Sequence, residues 1–145
     1  MGEAELRRLL SERSIEVVTA DPATAAQELD AARRHVTSAA LIAADDPIGA
    51  FAIGYDAIRK AIAAHMRARG YRLRKGGGHH HRTGRYALAA LDNMDVTDHI
   101  EAFDDLRQLR NQSEYDALMV EPEDVRNVLD HARALIDAIS TDLAL

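Results

Sequence analysis

Cysteine is absent from this chain. Its absence excludes disulfide staples, thiolate catalysis and cysteine-based zinc sites. Tryptophan is absent too, and aromatic residues make up only 4% of the sequence. The 47% of apolar residues is mostly alanine and aliphatic, which favours closely packed helices over a β-sandwich. No apolar run approaches the ~20 residues that a membrane-spanning helix needs. The opening "MGEAELRRLL" carries glutamates where a secretory signal would have an apolar core. Leu6 stands where a myristoylation signal calls for Ser or Thr. The expectation is a cytoplasmic protein with no membrane partner.

What is present parses into helices. At 145 residues the chain suits one domain with a usable core. Its three prolines lie in "ADPATAA", "DDPIGAF" and "VEPEDVR", each just after an acidic residue and before a long periodic run. Proline suits the first helical position, where its missing N–H would be unpaired anyway. Asp21 and Asp46 are suited to cap the positive helix end, and Glu121 is a poorer cap with the same charge. One-sided apolar stripes then predict helices over 22–44, 47–69 and 122–141. A fourth is predicted from Thr97 through Ile100, Phe103, Leu106 and Leu109, with shorter helices over 86–93 and 3–11. "SIEVVTA" has β-leaning composition but is too isolated to form a sheet by itself. The expected fold is all-α: an antiparallel four-helix bundle with one or two short additional helices. Residues 1–20 are expected as an N-terminal extension, and residues 70–85 as a basic Gly/His loop.

The formal charge of −6 conceals an asymmetry. Between Ala57 and Leu91 there is no Asp or Glu, yet that window holds nine of the 18 basic residues. The remainder therefore carries nine basic against 24 acidic residues, or −15. A basic block on an acidic body suggests contact with a polyanion; the alternative is a solvated face that balances acidic neighbours. The candidate nucleic-acid contacts are Arg67, Arg69, Arg72, Arg74, Lys75, Arg82 and Arg85. Three consecutive histidines in "KGGGHHHRTGR" point in different directions and lack a second ligand cluster, so neither a metal nor another cofactor is expected. His79, His80 and His81 are suited instead to donate to phosphate or to move a proton near neutral pH.

In "LRNQSEYD" (Leu109–Asp116), helical spacing puts Arg110 one turn from Glu114 and Asn111 one turn from Tyr115. An exposed helix end is the bland reading. Chain order adds a second. "LDAARRHVTSAALI" precedes "DDPIGAFAIGYDAIRKAIAAHMRARGYR", then come "GGGHH" and "FDDLRQLRNQSEYDALMVEPEDVRNVLDHARALIDAI". Over roughly Ala31 to Ser140 this resembles the HEPN family of small helical-bundle proteins, in the branch ending its penultimate helix with Arg-x-x-x-Asp/Glu-Tyr. The resemblance implies a four-helix bundle, commonly a homodimer, in toxin–antitoxin or defence pairs beside a nucleotidyltransferase or antitoxin partner. Many members are metal-independent ribonucleases with an arginine, a polar residue and a histidine in one motif. Arg110 and Asn111 match the first two. Tyr115, Asp116 and Ala117 occupy the histidine's possible places, so the resemblance implies RNA or nucleotide binding with weak or absent cleavage. The alternatives are an active ribonuclease pairing Arg110 with His79 or His80, and a non-enzymatic dimerisation or partner-binding module. Glu114 and Tyr115 complete the candidate site.

Overall fold

The computed structural model describes residues 2–113 and 120–145; Glu114, Tyr115, Asp116 and Ala117 lie outside the described residues. The elements run α1 (Gly2–Ser11), β1 (Ile15–Val17), α2 (Pro22–Ile42), α3 (Pro47–Arg69), β2 (Tyr71–Leu73), α4 (His79–Ala90), α5 (Thr97–Glu101), α6 (Phe103–Ser113) and α7 (Pro122–Leu143). The fold class is all-α, as the composition implies.

The prolines begin helices for the expected reason. Asp21 accepts from the Thr24 N–H at 3.1 Å, Asp46 accepts from the Gly49 N–H at 2.9 Å, and Pro22 and Pro47 follow as first helical residues. Glu121 is a better start than its side chain suggests, because the Asp124 carboxylate reaches back to the Glu121 N–H at 2.8 Å. Helix α3 stops at Gly70, whose φ of +82° is left-handed. A Cβ there would also lie 2.8 Å from the Val18 carbonyl oxygen, so glycine is required by backbone angle and by space.

Helices α2, α3 and α7 pack together as the central layer. Leu29, Phe51, Ile58, Ile62, Val128 and Leu135 are among the side chains fully buried between them. The expected fourth long helix is instead two, broken at Ala102. The break has a packing reason: α5 lies against α4 and α7, whereas α6 lies against α3 and α4. Ile100 and Phe103 are thereby both buried, on neighbours that one straight helix would not serve together.

Three other expectations are corrected. "SIEVVTA" does form sheet structure, because β1 pairs antiparallel with β2 in the register Ile15–Leu73, Glu16–Arg72 and Val17–Tyr71. The expected loop over 70–85 is largely ordered into β2 and α4, leaving residues 74–78 between them. Residues 1–20 are also more than an appendage. Leu9 and Ile15 are buried in the core, and Arg85 of α4 binds Glu5 of α1 at 2.7 Å and Glu12 at 2.8 Å. Replacing Arg85 by alanine is expected to cost about 1 kcal/mol and to speed amide exchange in α1, since a partly exposed ion-pair network contributes on that scale.

A buried polar chain ties the end of α7 to α3 and α4. His65, 2% exposed, has Nδ1 at 2.8 Å from the Tyr86 hydroxyl and Nε2 at 2.7 Å from the Asp142 carboxylate. Arg69 closes it by donating to Asp142 at 3.0 Å. The carboxylate accepts from Nε2–H, and Nδ1 accepts from the phenol, so every member is satisfied with a neutral imidazole. Burial holds His65 below its ordinary 6.5 against the pull of Asp142, and burial likewise lowers His80 and His131. Above pH 6.5 these groups are neutral whether the chain is folded or unfolded. As the pH falls below 6.5 the unfolded chain takes up protons that the fold refuses, so stability is expected to decline. Urea midpoints at pH 7.5 and 5.5 measure the loss.

Candidate functional site

The "LRNQSEYD" arginine sits in the last turn of α6, on the side facing α3. The Arg110 guanidinium carbon lies 5.7 Å from the centroid of the Tyr55 ring, within cation–π range. Tyr55, on α3, is completely buried and stacks on Phe103 at 5.4 Å between centroids. Its hydroxyl is hydrogen-bonded to Nδ1 of His80. His80 also approaches the Phe103 ring, at 6.2 Å. A histidine from the Gly/His segment is therefore brought beside the arginine of the motif, with a phenol between them.

Local backbone explains how. Gly76 and Gly78 take φ of +140° and +76°, turning the chain out of β2 and into α4. His79, His80 and His81 then open that helix, where successive side chains diverge by about 100°. Only His80 turns inward; His79 and His81 are exposed.

The buried phenol determines what His80 offers. Burial pushes the Tyr55 hydroxyl up to about 12, so it keeps its proton at neutral pH. That O–H needs an acceptor, and Nδ1 of His80 is its partner among the described residues. A neutral imidazole accepting at Nδ1 carries its own hydrogen on Nε2. Burial first, and then the charges of Arg59, Arg107 and Arg110, keep His80 below its ordinary 6.5 and so neutral. The outward nitrogen is thus a hydrogen-bond donor in a positive surround. It lacks the lone pair that a general base requires at that atom.

The surrounding cations are partly held in place. Arg59, one turn beyond Tyr55 on α3, donates to Asp56 at 2.5 Å, and Asp56 also faces Lys60 at 3.7 Å and His35 at 3.6 Å. Arg107 donates to Asp104 at 2.9 Å. Asn111 is exposed one residue beyond Arg110.

Much of the basic window is answered by acids from other elements. Arg67 pairs with Glu28 at 2.9 Å, Arg69 with Asp142 at 3.0 Å, Arg72 with Glu16 at 2.5 Å and Arg74 with Glu16 at 3.5 Å. Arg82 is drawn inward, donating to the carbonyls of Ser14, Arg74 and Gly76 at 2.8 to 3.1 Å. Arg82 and Arg85 therefore hold the fold together, whereas Lys75 makes no ion pair among the described residues. The asymmetry along the sequence largely closes into pairs in space. Tyr55, Arg59 and Arg107 are the site members that spacing around the motif does not mark. The available signal is "YDAIR", which puts Tyr55 and Arg59 four residues apart on one helical face.

Beside His80 opens a cavity of about 650 Å³, walled by α3, β2, the first turns of α4 and the segment leading into α2. No helix among the described residues is long and apolar enough to cross a membrane. Compared with family models, with curated proteins and with solved structures, the chain matches none.

Proposed function

We propose that this chain is a HEPN-type, homodimeric module that binds RNA and cleaves it weakly or not at all, within a toxin–antitoxin or defence-type pair. The sequence resemblance supports the family, the dimer and a nucleotidyltransferase or antitoxin partner. The observation that carries the RNA-binding reading is the Tyr55–His80 pair set among Arg59, Arg107 and Arg110. A hydrogen-bond donor among cations suits a phosphate oxygen, and the phenol withholds the basic nitrogen that attack by a 2′-hydroxyl would need.

One observation favours a ribonuclease as the second reading: a histidine does lie beside the motif arginine, joined to it through the Tyr55 ring. Labelled single-stranded RNA incubated with the protein in EDTA separates the two. The first reading expects retained binding and RNA left intact or nearly so. Cleavage abolished by both Arg110→Ala and His80→Ala would establish the second instead. Cleavage surviving both substitutions identifies a contaminating nuclease.

A further inference from the structure

The cavity beside His80 has the chemistry of a site for one nucleotide unit. We infer that it takes an unstacked base of single-stranded RNA, with that nucleotide's phosphate at its cationic rim. This rests on the RNA-binding reading and adds which part of an RNA is held, and where.

The volume, about 650 Å³, falls within the ~300–1,000 Å³ of small-molecule sites. Its floor is apolar: Val18, Ala63, Met66, Tyr71 and Leu73. Tyr71 is the aromatic member, half-buried, and its ring lies 5.9 Å from that of Tyr86 at 60°, which steadies it as a wall. A base presents two apolar faces and a polar edge, and such surfaces stack well on aromatic and apolar side chains. The rim is cationic and hydrogen-bonding: Arg59, Arg72, His79 and His80. Arg72 engages Glu16 through Nε, and Arg59 engages Asp56 through one terminal nitrogen. A guanidinium has five N–H donors, so each arginine can hold its carboxylate and still face a phosphate. The lining also includes the Asp21 carboxylate, an acceptor for base N–H groups.

A duplex keeps its bases stacked and paired, so it offers this floor nothing to hold. Single strands supply unstacked bases, and the rim and floor together match one base with its phosphate. The fold builds the cavity from elements far apart in sequence: the β1 to α2 link, α3, β2 and the start of α4. Its shape therefore depends on the β1–β2 pairing.

The test uses the full chain with two probes, 4-thiouridine 5′-monophosphate and a trinucleotide RNA carrying 4-thiouridine. Photo-crosslinks on the unchanged protein are expected within residues 18–21 or 63–73. Ala63 is an exposed position on α3 facing the cavity, so Ala63→Trp fills the space without entering the core. That variant is expected to weaken trinucleotide binding at least 10-fold with its circular dichroism unchanged. Adducts only outside these segments, or a folded Ala63→Trp that binds as tightly as the parent, overturn the inference. Should Ala63→Trp not fold, the crosslink map alone decides. Trinucleotide binding tighter than that of the monomer assigns the cavity to RNA, and equal binding overturns that assignment in favour of a free nucleotide. RNA that needs His80 and Arg59 but crosslinks elsewhere leaves the RNA-binding reading standing and removes the cavity. Crosslinking at the cavity with RNA binding indifferent to His80 and Arg59 overturns the inference as well, because the phosphate would then not lie at the rim they form.

Discussion

His65→Leu is expected to destabilise the fold by about 2–3 kcal/mol, the largest stability loss from a single side chain outside the apolar core. Leucine nearly fills the volume, so little of this comes from a void. The loss comes from what histidine leaves behind: a buried Tyr86 hydroxyl with no acceptor and an Asp142 carboxylate keeping only Arg69. Stranding a buried polar group costs ~1–3 kcal/mol, whereas removing both partners of a bond can be nearly neutral. The same chemistry supplies a control. Adding Tyr86→Phe to His65→Leu is expected to recover part of the loss, although Tyr86→Phe alone destabilises. Urea unfolding of the two single variants and the double variant measures the coupling. Strict additivity would mean that the hydroxyl and the imidazole do not depend on one another.

The second large effect is on RNA affinity. Replacing Arg59 and His80 together by alanine is expected to weaken single-stranded RNA binding at low salt by roughly 10- to 100-fold. Hydrogen bonds to charged groups contribute ~1.5–3 kcal/mol, and each ~1.4 kcal/mol is tenfold in affinity. The dependence of log K on log salt should become shallower, because fewer counterions are released when fewer phosphates are neutralised. Arg82→Ala and Arg85→Ala are the contrast. Their guanidiniums are spent on carbonyls and on Glu5 and Glu12, so they should reduce stability and leave RNA affinity nearly unchanged. The pH dependence has a definite sign. His80 is neutral at pH 7 and its pKa lies below 6.5. Protonation adds positive charge at the proposed phosphate contact, so affinity should rise as the pH falls through that range. Fluorescence anisotropy with a labelled oligonucleotide at pH 7.5 and 5.5 reads this rise, and an unchanged affinity would place the RNA away from His80.

What could be read from the sequence was what depends on near neighbours. Asp21–Pro22, Asp46–Pro47 and Glu121–Pro122 announce helix starts because caps act within three residues. The apolar stripes of α2, α3 and α7 are equally local, and all three helices begin at the expected prolines. Strand β2 was illegible for the opposite reason. "YRL" lies in a basic run, and its strand character comes from pairing with Ile15–Val17, more than fifty residues earlier. Three glycines before three histidines read as loop, yet two of those glycines turn the chain so that the histidines can begin α4. The candidate site divides in the same way. Arg110 was visible from its motif, and His80 was a candidate for its chemistry. Tyr55 reads as one more member of an apolar stripe, because the partner that gives its hydroxyl a purpose lies 25 residues away. The basic window misled in part, since Glu5, Glu12, Glu16, Glu28 and Asp142 return to it only in three dimensions.

His80, held by Tyr55 as an Nε2–H donor, is proposed to meet RNA phosphate. The imidazole nitrogen NMR spectrum of the full chain at pH 7, recorded with and without a short single-stranded RNA, tests it most directly. A neutral His80 ring with its hydrogen on Nε2 is expected, as is a shift of that nitrogen when RNA is added. A His80 ring carrying its hydrogen on Nδ1, or an Nε2 signal unmoved while RNA binds, would contradict it.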